Sequence, residues 1–579
     1  MLPSAYGFLI IGATTGAALS GDFTRNQDRF ELPIMGKKQS WDNAWDVFAM
    51  SNYNTITSIA QSPQDADLLY IGTDDGLIQV SEDYGKSWRK IELGNIKGIP
   101  ALPYVNDIKA DLFDANTVYV ALGNHKYGDY KPYLLKSTDR GKSWTALHTD
   151  LPQPNLVWRL VQDHVKKDLL FIGTEFGIYF SPNGGKKWIQ LKGGLPTISF
   201  RDLTIQRREN DLVCASFGRS FYVFDDMQVF REVSKEVMEQ EATLFPTRKA
   251  WWYIPRSHLG FEGKKGDQGA GYYVADNPPF GAVFTYYLSK GLKTPTEIRK
   301  EAEKQQQGDI AFPGWEALAE EQKADSPQVI LLVRDQEGKV VRRLSAPTEK
   351  GFHRIAWDLR YPAPHAVAMQ EPPPPMWGGP PQGMLVAPGT YTASLYKLQN
   401  GQLQELSGPV SVEVVPLREG ALKGASPEEA AAFWRQYEQA VRTHSALQMA
   451  LGNAKTQAER MKKVLENTPV QGEFASQLHQ LRKQLLDLDQ ELNGNPARLQ
   501  PGEKTRPTAG GRLSSLELGI GRSTYGPTSQ HRKALQIINK QLETAAGQLS
   551  EYRKQLSRLA EALLEAGGPW MEGEALPGQ

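Results

Sequence analysis

The chain has 579 residues, 40% of them hydrophobic and 23% charged, which is too long for one ordinary core and normal for soluble globular domains. Lysine plus arginine and aspartate plus glutamate both number 66, so the net charge of zero argues against nucleic acid or another polyanion as partner. The single cysteine, Cys214 in "DLVCASF", excludes an internal disulfide and a cysteine-based zinc site, and reads as a small buried hydrophobe.

The first charge is Asp22, and the apolar stretch before it, "YGFLIIGATTGAALSG", has two readings. With Ala18 and Ser20 as small cleavage-site residues it resembles an export signal, although the basic n-region is missing. It also has the outline of "LLYIGTDDGLIQVS" at 68–81, a strand, a glycine-bearing turn and a second strand, which would make it half of a repeat unit. No other segment approaches the roughly 18 apolar residues a membrane span needs.

From residue 51 to about 230 one pattern recurs. "SEDYGKSW" at 81–88 returns as "STDRGKSW" at 137–144 and as "SPNGGKKW" at 181–188. Around each lie short β-branched and aromatic runs separated by Gly, Asn and Asp turns, in copies that begin at Thr57, Asn106 and Trp158. A fourth copy from Arg201, "RDLTIQRRENDLVCASFGRSFYVFDD", stops before a box. Starts 49, 52 and 43 residues apart fit a four-stranded antiparallel blade, so the copies predict a β-propeller portion of about four blades.

The eight-residue box resembles the Asp-box (BNR repeat) of sialidase-type and sortilin-type β-propellers. Ser81, Asp83, Gly85 and Trp88 match in the first copy, and Ser137, Asp139, Gly141 and Trp144 in the second. The third keeps Ser181, Gly185 and Trp188 but puts Asn183 at the aspartate place. "YIGTDDG", "FIGTEFG" and "FGRSFYVFDD" resemble more narrowly the bacterial glycosyl-hydrolase-like proteins with sortilin-like repeats. The box itself reads as a hairpin staple: a short polar side chain accepts backbone N–H groups, glycine supplies positive φ, and tryptophan packs between blades. The resembled rings have more than four blades, which implies that Met1 is not the ancestral start or that a partner chain completes the propeller.

In an up-and-down blade the 3–4 turns that carry the boxes lie on one face and the 2–3 turns on the other. The second face collects Asp74, Asp75, the segment "NHKYGDYK" (124–131) with His125, Lys126, Asp129, Tyr130 and Lys131, then Glu175 and Arg219. Carboxylates, a histidine, a tyrosine and cations converging near an axis suit a ligand site on a rigid scaffold. Asp75 and Glu175 are the candidate catalytic pair if the protein hydrolyses glycosides, a reaction that needs two carboxyl groups either about 5 Å or about 6.5–9.5 Å apart. Sialidase chemistry is disfavoured, because "YIPR" places Tyr253 before and Arg256 after the Ile-Pro that sialidases precede with arginine. The scattered histidines, and the lack of phosphate-loop and His-Glu-x-x-His motifs, predict neither metal nor cofactor.

After a connector at 231–277, strand signals over 278–416 predict an immunoglobulin-like β-sandwich, with a charged, partly helical insertion at 291–327 and a proline-rich loop at 371–382. From Ser426 to 567 the period becomes helical. Ser426, Pro427 and Glu429 make a capped start; Leu478, Leu481, Leu485, Leu488 and Leu492 form one stripe and Leu535 to Leu563 another, predicting a helical bundle or coiled coil before a tail at 568–579. The chain as a whole reads as a secreted, periplasmic or cell-surface module that binds polysaccharide or protein, with a non-sialidase glycoside hydrolase as the alternative.

Overall fold

The computed structural model describes residues 7–8, 17–18, 20–34, 37–38, 53–256, 275–306, 308–369, 380–420, 422–468 and 472–573. They divide into two units, Met1–Gln240 and Glu241–Gln579. Among the described residues no helix is long and apolar enough to cross a membrane.

In the first unit four antiparallel meanders follow one another in chain order. The first sheet runs Ile56–Gln61, Leu69–Thr73, Leu77–Ser81 and Arg89–Glu92; the second Tyr104–Ala110, Val118–Asn124, Asp129–Ser137 and Thr145–Ala146. The third runs Val157–Gln162, Leu170–Thr174, Gly177–Ser181 and Ile189–Gln190, and the fourth has three strands, Phe200–Gln206, Asp211–Ser216 and Phe221–Phe224. Each sheet's first strand presses onto the face of the sheet before it. Gly72 shows why that face must be small: a Cβ there would collide with Val105 and Ile108 of the second sheet, and one at Gly173 would meet Phe200 and Leu203 of the fourth. Antiparallel meanders stacked face to face in this way are β-propeller blades.

Polar groups on the first strand of each sheet repeat from sheet to sheet. Ser58 Oγ accepts from the Ile108 N–H at 2.9 Å, and Asp107 Oδ2 accepts from the Leu160 N–H at 3.1 Å. Arg159 then bridges Asp107 and Asp202, each at 3.1 Å, tying three consecutive sheets together.

The boxes close the hairpins between strands three and four. Ser81 Oγ accepts from the Gly85 N–H at 2.7 Å and donates to Asp83 Oδ1 at 2.8 Å, while Asp83 takes the Ser87 N–H and hydroxyl at 2.9 and 2.6 Å. Ser137, Asp139, Gly141 and Ser143 repeat this network. In the third box Asn183 Oδ1 still accepts from the Lys187 N–H at 2.9 Å, but no hydroxyl stands at 187 to bind the other side-chain atom. Gly85, Gly141 and Gly185 all have φ between 81° and 89°, the left-handed region that favours glycine. The tryptophans reach the preceding neighbour: Trp188 donates to the Leu147 carbonyl of the second sheet, Trp144 packs with the apolar cluster of the first two, and Trp88 meets Phe23 edge-on at 4.7 Å. Phe23 belongs to the segment ahead of the first sheet, and its carbonyl also accepts from Gln79 at 3.0 Å. Of the half-unit expected within 8–20, Gly7–Phe8 pairs antiparallel with Ala17–Ala18, and residues 9–16 and 19 lie outside the described residues.

The second unit holds a three-stranded sheet in the order Ala242–Leu244, Ala282–Leu288, Gly351–Trp357. Beside it lies a five-stranded sheet in the order Ala250–Trp252, Gln402–Pro416, Gly389–Gln399, Gln328–Arg334, Val340–Ala346. The expected connector at 231–277 is corrected here: it supplies one strand to each sheet. Three-residue strands are too short to display a period of two, so only burial of Leu244 and Trp252 reveals them. Helices α1 (Pro295–Gln305) and α2 (Trp315–Lys323) occupy the charged stretch between strands. The proline-rich loop lies mostly outside the described residues.

Four longer helices follow: α3 (Pro427–Asn467), α4 (Phe474–Asn493), α5 (Ala509–Ile520) and α6 (Ser529–Glu565). Ser426 caps α3 with Glu429 in a reciprocal capping box behind Pro427. Pairs Lys455–Asp489 and Glu459–Arg482 set α4 antiparallel to α3, and Arg532 over Phe433 with Arg460–Glu572 set α6 parallel to it. Gly510 lies against His444 and Gly519 against His531, so α5 continues the return path that α4 began. The leucine stripes of α4 and α6 are buried and share one core with both sheets, where Trp252 packs 6.1 Å from Trp434 of α3.

Candidate functional site

Strand register fixes which residues share an end of the first unit. Val157 pairs with Thr174, so the start of strand one and the turn between strands two and three lie together; Gln162–Leu170 and Leu170–Ser181 put the box turn at the opposite end. At the first of these ends His125, Tyr130, Pro154, Asn155, Leu156, Trp158, Glu175, Phe176 and Arg201 line a pocket of about 320 Å³.

Trp158 is its hub. The indole N–H donates to Glu175 Oε2 at 2.9 Å, the Arg201 guanidinium lies 3.6 Å above the ring centroid, and His125 meets the ring edge-on at 5.6 Å. Arg201 also stands 3.8 Å from the same Glu175 oxygen. Its Nε donates to Ser199 at 2.8 Å, which holds the guanidinium plane over the indole. Burial keeps the His125 pKa below its ordinary value, with Lys126 and Arg201 adding to the effect against Glu175, so the imidazole is neutral at pH 7. Tyr130 and Phe176 of the lining are exposed, as is Phe217, whose ring lies 5.1 Å from the Arg201 guanidinium, so that three consecutive sheets each supply one exposed aromatic.

Of the residues expected on this face, His125, Tyr130 and Glu175 line the pocket. Asp74, His125 and Lys126 line a second hollow of about 20 Å³ that shares His125 with the first. Asp74 is buried and accepts the Thr55 N–H and hydroxyl at 2.9 and 3.0 Å; burial pushes its pKa up against those two bonds. Asp75 is fully buried, with its carboxylate occupied by the Arg25 N–H and the Thr73 hydroxyl. Asp129 accepts from Tyr133, Asn124 and the Lys131 N–H, which together outweigh burial and lower its pKa, making it the brace of its own turn. Lys131 and Arg219 are exposed and stand outside both hollows.

No protein-family model matches the chain, and a search of curated proteins finds no relative. Solved structures similar to part of it include the GH74 xyloglucanase from Xanthomonas campestris, at 14% identity over 30% of this chain and 29% of that one, with a TM-score of 0.25. YCF48 bound to D1 peptide matches at 18% identity over 30% of this chain and 52% of that one, with a TM-score of 0.24. The β-propeller domain of Myceliophteria thermophila Cps50 (Swd1) matches at 15% identity over 30% and 53%, also at 0.24. The chain thus spans between 29% and 53% of the length of these three proteins.

Sequence reasoning passed over Trp158, Arg201, Phe176 and Phe217. The signal for the first two was available: aligning the copies puts Thr57, Asn106, Trp158 and Arg201 in one column, near the start of the first strand of each sheet. Thr57 and Asn106 use that position to reach the next sheet, donating to the carbonyls of Val105 at 2.8 Å and Val157 at 2.7 Å. Where the column turns aromatic and cationic, the same position forms the pocket wall. Among the described residues no cluster of three His, Cys, Asp or Glu side chains stands ready for a metal ion.

Proposed function

We propose that the first unit is a binding module for carbohydrate, with the ligand seated on the face opposite the boxes. The observation that carries this reading is the pairing of the exposed aromatics Tyr130 and Phe176 with the Glu175–Trp158–Arg201 cluster in one hollow, with the exposed Phe217 ring 5.1 Å from the Arg201 guanidinium. Sugar rings present apolar C–H faces that lie on aromatic rings and hydroxyl pairs that a carboxylate and a guanidinium bind in two-point fashion. Glycoside hydrolysis is the weaker reading, because it requires a second carboxyl group facing the same sugar. Glu175 is the one carboxylate among the described lining residues, and Asp75 is buried with its oxygens taken.

In this reading the two sheets of the second unit form an immunoglobulin-like sandwich and its long helices a bundle, both acting as scaffold. The protein works outside the cytoplasm, where polysaccharide is met; cell fractionation with an antibody against the native protein checks the location. Glycan-array screening followed by calorimetry tests the site. Glu175→Gln and Phe217→Ala are each expected to weaken the selected oligosaccharide about tenfold, or about 1.4 kcal/mol, with unchanged melting. Full affinity in both variants overturns the reading, and turnover of a chromogenic glycoside that disappears in Glu175→Gln replaces it with the hydrolase.

A further inference from the structure

Helices α1 and α2 form a pair in which no residue of either helix is buried. Arg299 of α1 donates to Glu321 of α2 from Nε at 2.8 Å and from Nη2 at 3.0 Å, so ion pairing rather than an apolar core ties the two together. Three large apolar residues gather at the turn that joins them. Ile310, Phe312 and Trp315 are 52%, 60% and 78% exposed, and the Phe312 and Trp315 rings meet edge-on at 4.9 Å. Asp309, Glu316 and Glu320 are exposed as well, with Glu320 paired to Lys323, so the tip has an apolar centre and an acidic border.

The surface between α3 and α6 carries the opposite chemistry. A groove of about 750 Å³ runs between them, floored by Ala446, Leu447, Ala450, Ala546 and Leu549. Its walls hold Arg442, Arg553, Lys554 and Arg558, and its lining contains no carboxylate. Arg442 donates to Gln439 at 2.9 Å, and among the described residues Arg553, Lys554 and Arg558 have no ion pair. Glu551, the acid nearest to them in sequence, instead accepts from Gln555 at 3.1 Å. The alanines leave room for bulky side chains to enter between the helices, along a stretch of α6 about 18 Å long.

We propose that two copies of this chain associate reciprocally, the α1–α2 tip of each entering the α3–α6 groove of the other. Phe312 and Trp315 fill the space over the alanines, where guanidinium groups lie against their ring faces, and Glu316 and Glu320 meet Arg553 and Arg558. Charge selects the occupant: an acid-bordered aromatic tip fits a groove walled by cations that lack anionic partners, and one chain carries both surfaces. An aromatic centre within a charged border is also the composition of protein interfaces. Reciprocal exchange uses each surface once and closes at two copies, whereas docking in one direction would continue into longer chains.

The test is the mass of the full chain by light scattering after gel filtration, across a concentration series. The expected result is a dimer of about twice 64.5 kDa that weakens as salt is added. Phe312→Ala/Trp315→Ala is expected to raise the dissociation constant about tenfold or more. Arg553→Glu/Arg558→Glu makes the groove repel the tip, and Glu316→Lys/Glu320→Lys makes the tip repel the groove, so each variant alone is expected to be monomeric with wild-type circular dichroism. An equimolar mixture of these two charge variants restores dimers, because both contacts between unlike copies then join opposite charges. A monomeric wild-type chain, a ladder of larger species, or a dimer that survives in both charge variants overturns the proposal. Failure of the mixture to re-form dimers does so as well, since an association through other surfaces would behave in that way.

Discussion

The Arg201 guanidinium lies 3.6 Å above the Trp158 ring while the indole N–H is held by Glu175, so one aromatic side chain orients both charges of the pocket. Arg201→Lys keeps the charge and loses the planar stack. It is expected to cost about 1 kcal/mol or less in stability and to weaken ligand binding about tenfold. Thermal melts and calorimetry on the same preparation separate the two effects.

The boxes are expected to matter for stability alone. Ser137 is buried and serves both the Gly141 N–H and Asp139, so Ser137→Ala leaves a donor unsatisfied and is expected to cost about 1–2 kcal/mol. Asp139→Asn is expected to be milder, because Asn183 already performs the same backbone capture in the third box. Denaturant melts measure the difference, and ligand affinity should not move in either variant.

Asp83 and Asp139 also predict the acid limb of stability. The Ser87 hydroxyl and N–H hold Asp83 down to about 2, and the corresponding groups of Ser143 hold Asp139 low. A carboxyl group depressed in the folded state contributes fully above its unfolded pKa, near 3.9, and loses that contribution as pH falls through the folded value. The melting temperature of the wild type is therefore expected to fall more steeply between about pH 4 and 2 than that of Asp83→Asn/Asp139→Asn. Parallel curves would show that these turns contribute nothing to acid sensitivity.

In the helices, Leu485 and Leu549 are 1% and 2% exposed, whereas the adjacent Leu486 faces outward. Leu485→Ala or Leu549→Ala is expected to cost about 2–5 kcal/mol, and Leu486→Ala about 0.5 kcal/mol or less. Chemical denaturation of the three variants tests whether the stripe is core.

Glu438 joins α3 to the loop ahead of the five-stranded sheet's long hairpin. One oxygen accepts the Met384 N–H at 2.6 Å and the other meets Arg435 at 2.6 Å. Removing the carboxylate strands a buried N–H and a cation, so Glu438→Ala is expected to destabilise by about 3 kcal/mol. Glu438→Gln retains an acceptor and is expected to lose less, as read by urea unfolding.

The repeated box and the leucine stripes were both legible in the chain, because each arises from contacts a few residues apart or from a strict period. The staple chemistry of Ser81–Asp83–Gly85 could be stated from eight letters, and the start of α3 from four. Topology also assigned Glu175, His125 and Tyr130 to one end. Three-dimensional packing alone decided that Asp75 turns inward to Arg25 and Thr73 while Glu175 turns to Trp158, since two acidic turn residues at matching places in their repeats look alike until neighbours choose between them. It likewise decided that Arg201, and not Arg219, faces the pocket. Nor could periodicity show that α5 completes the return path of α4, or that Phe221 stands exposed: sequence records what a residue is able to bury, and only the fold determines what arrives to cover it.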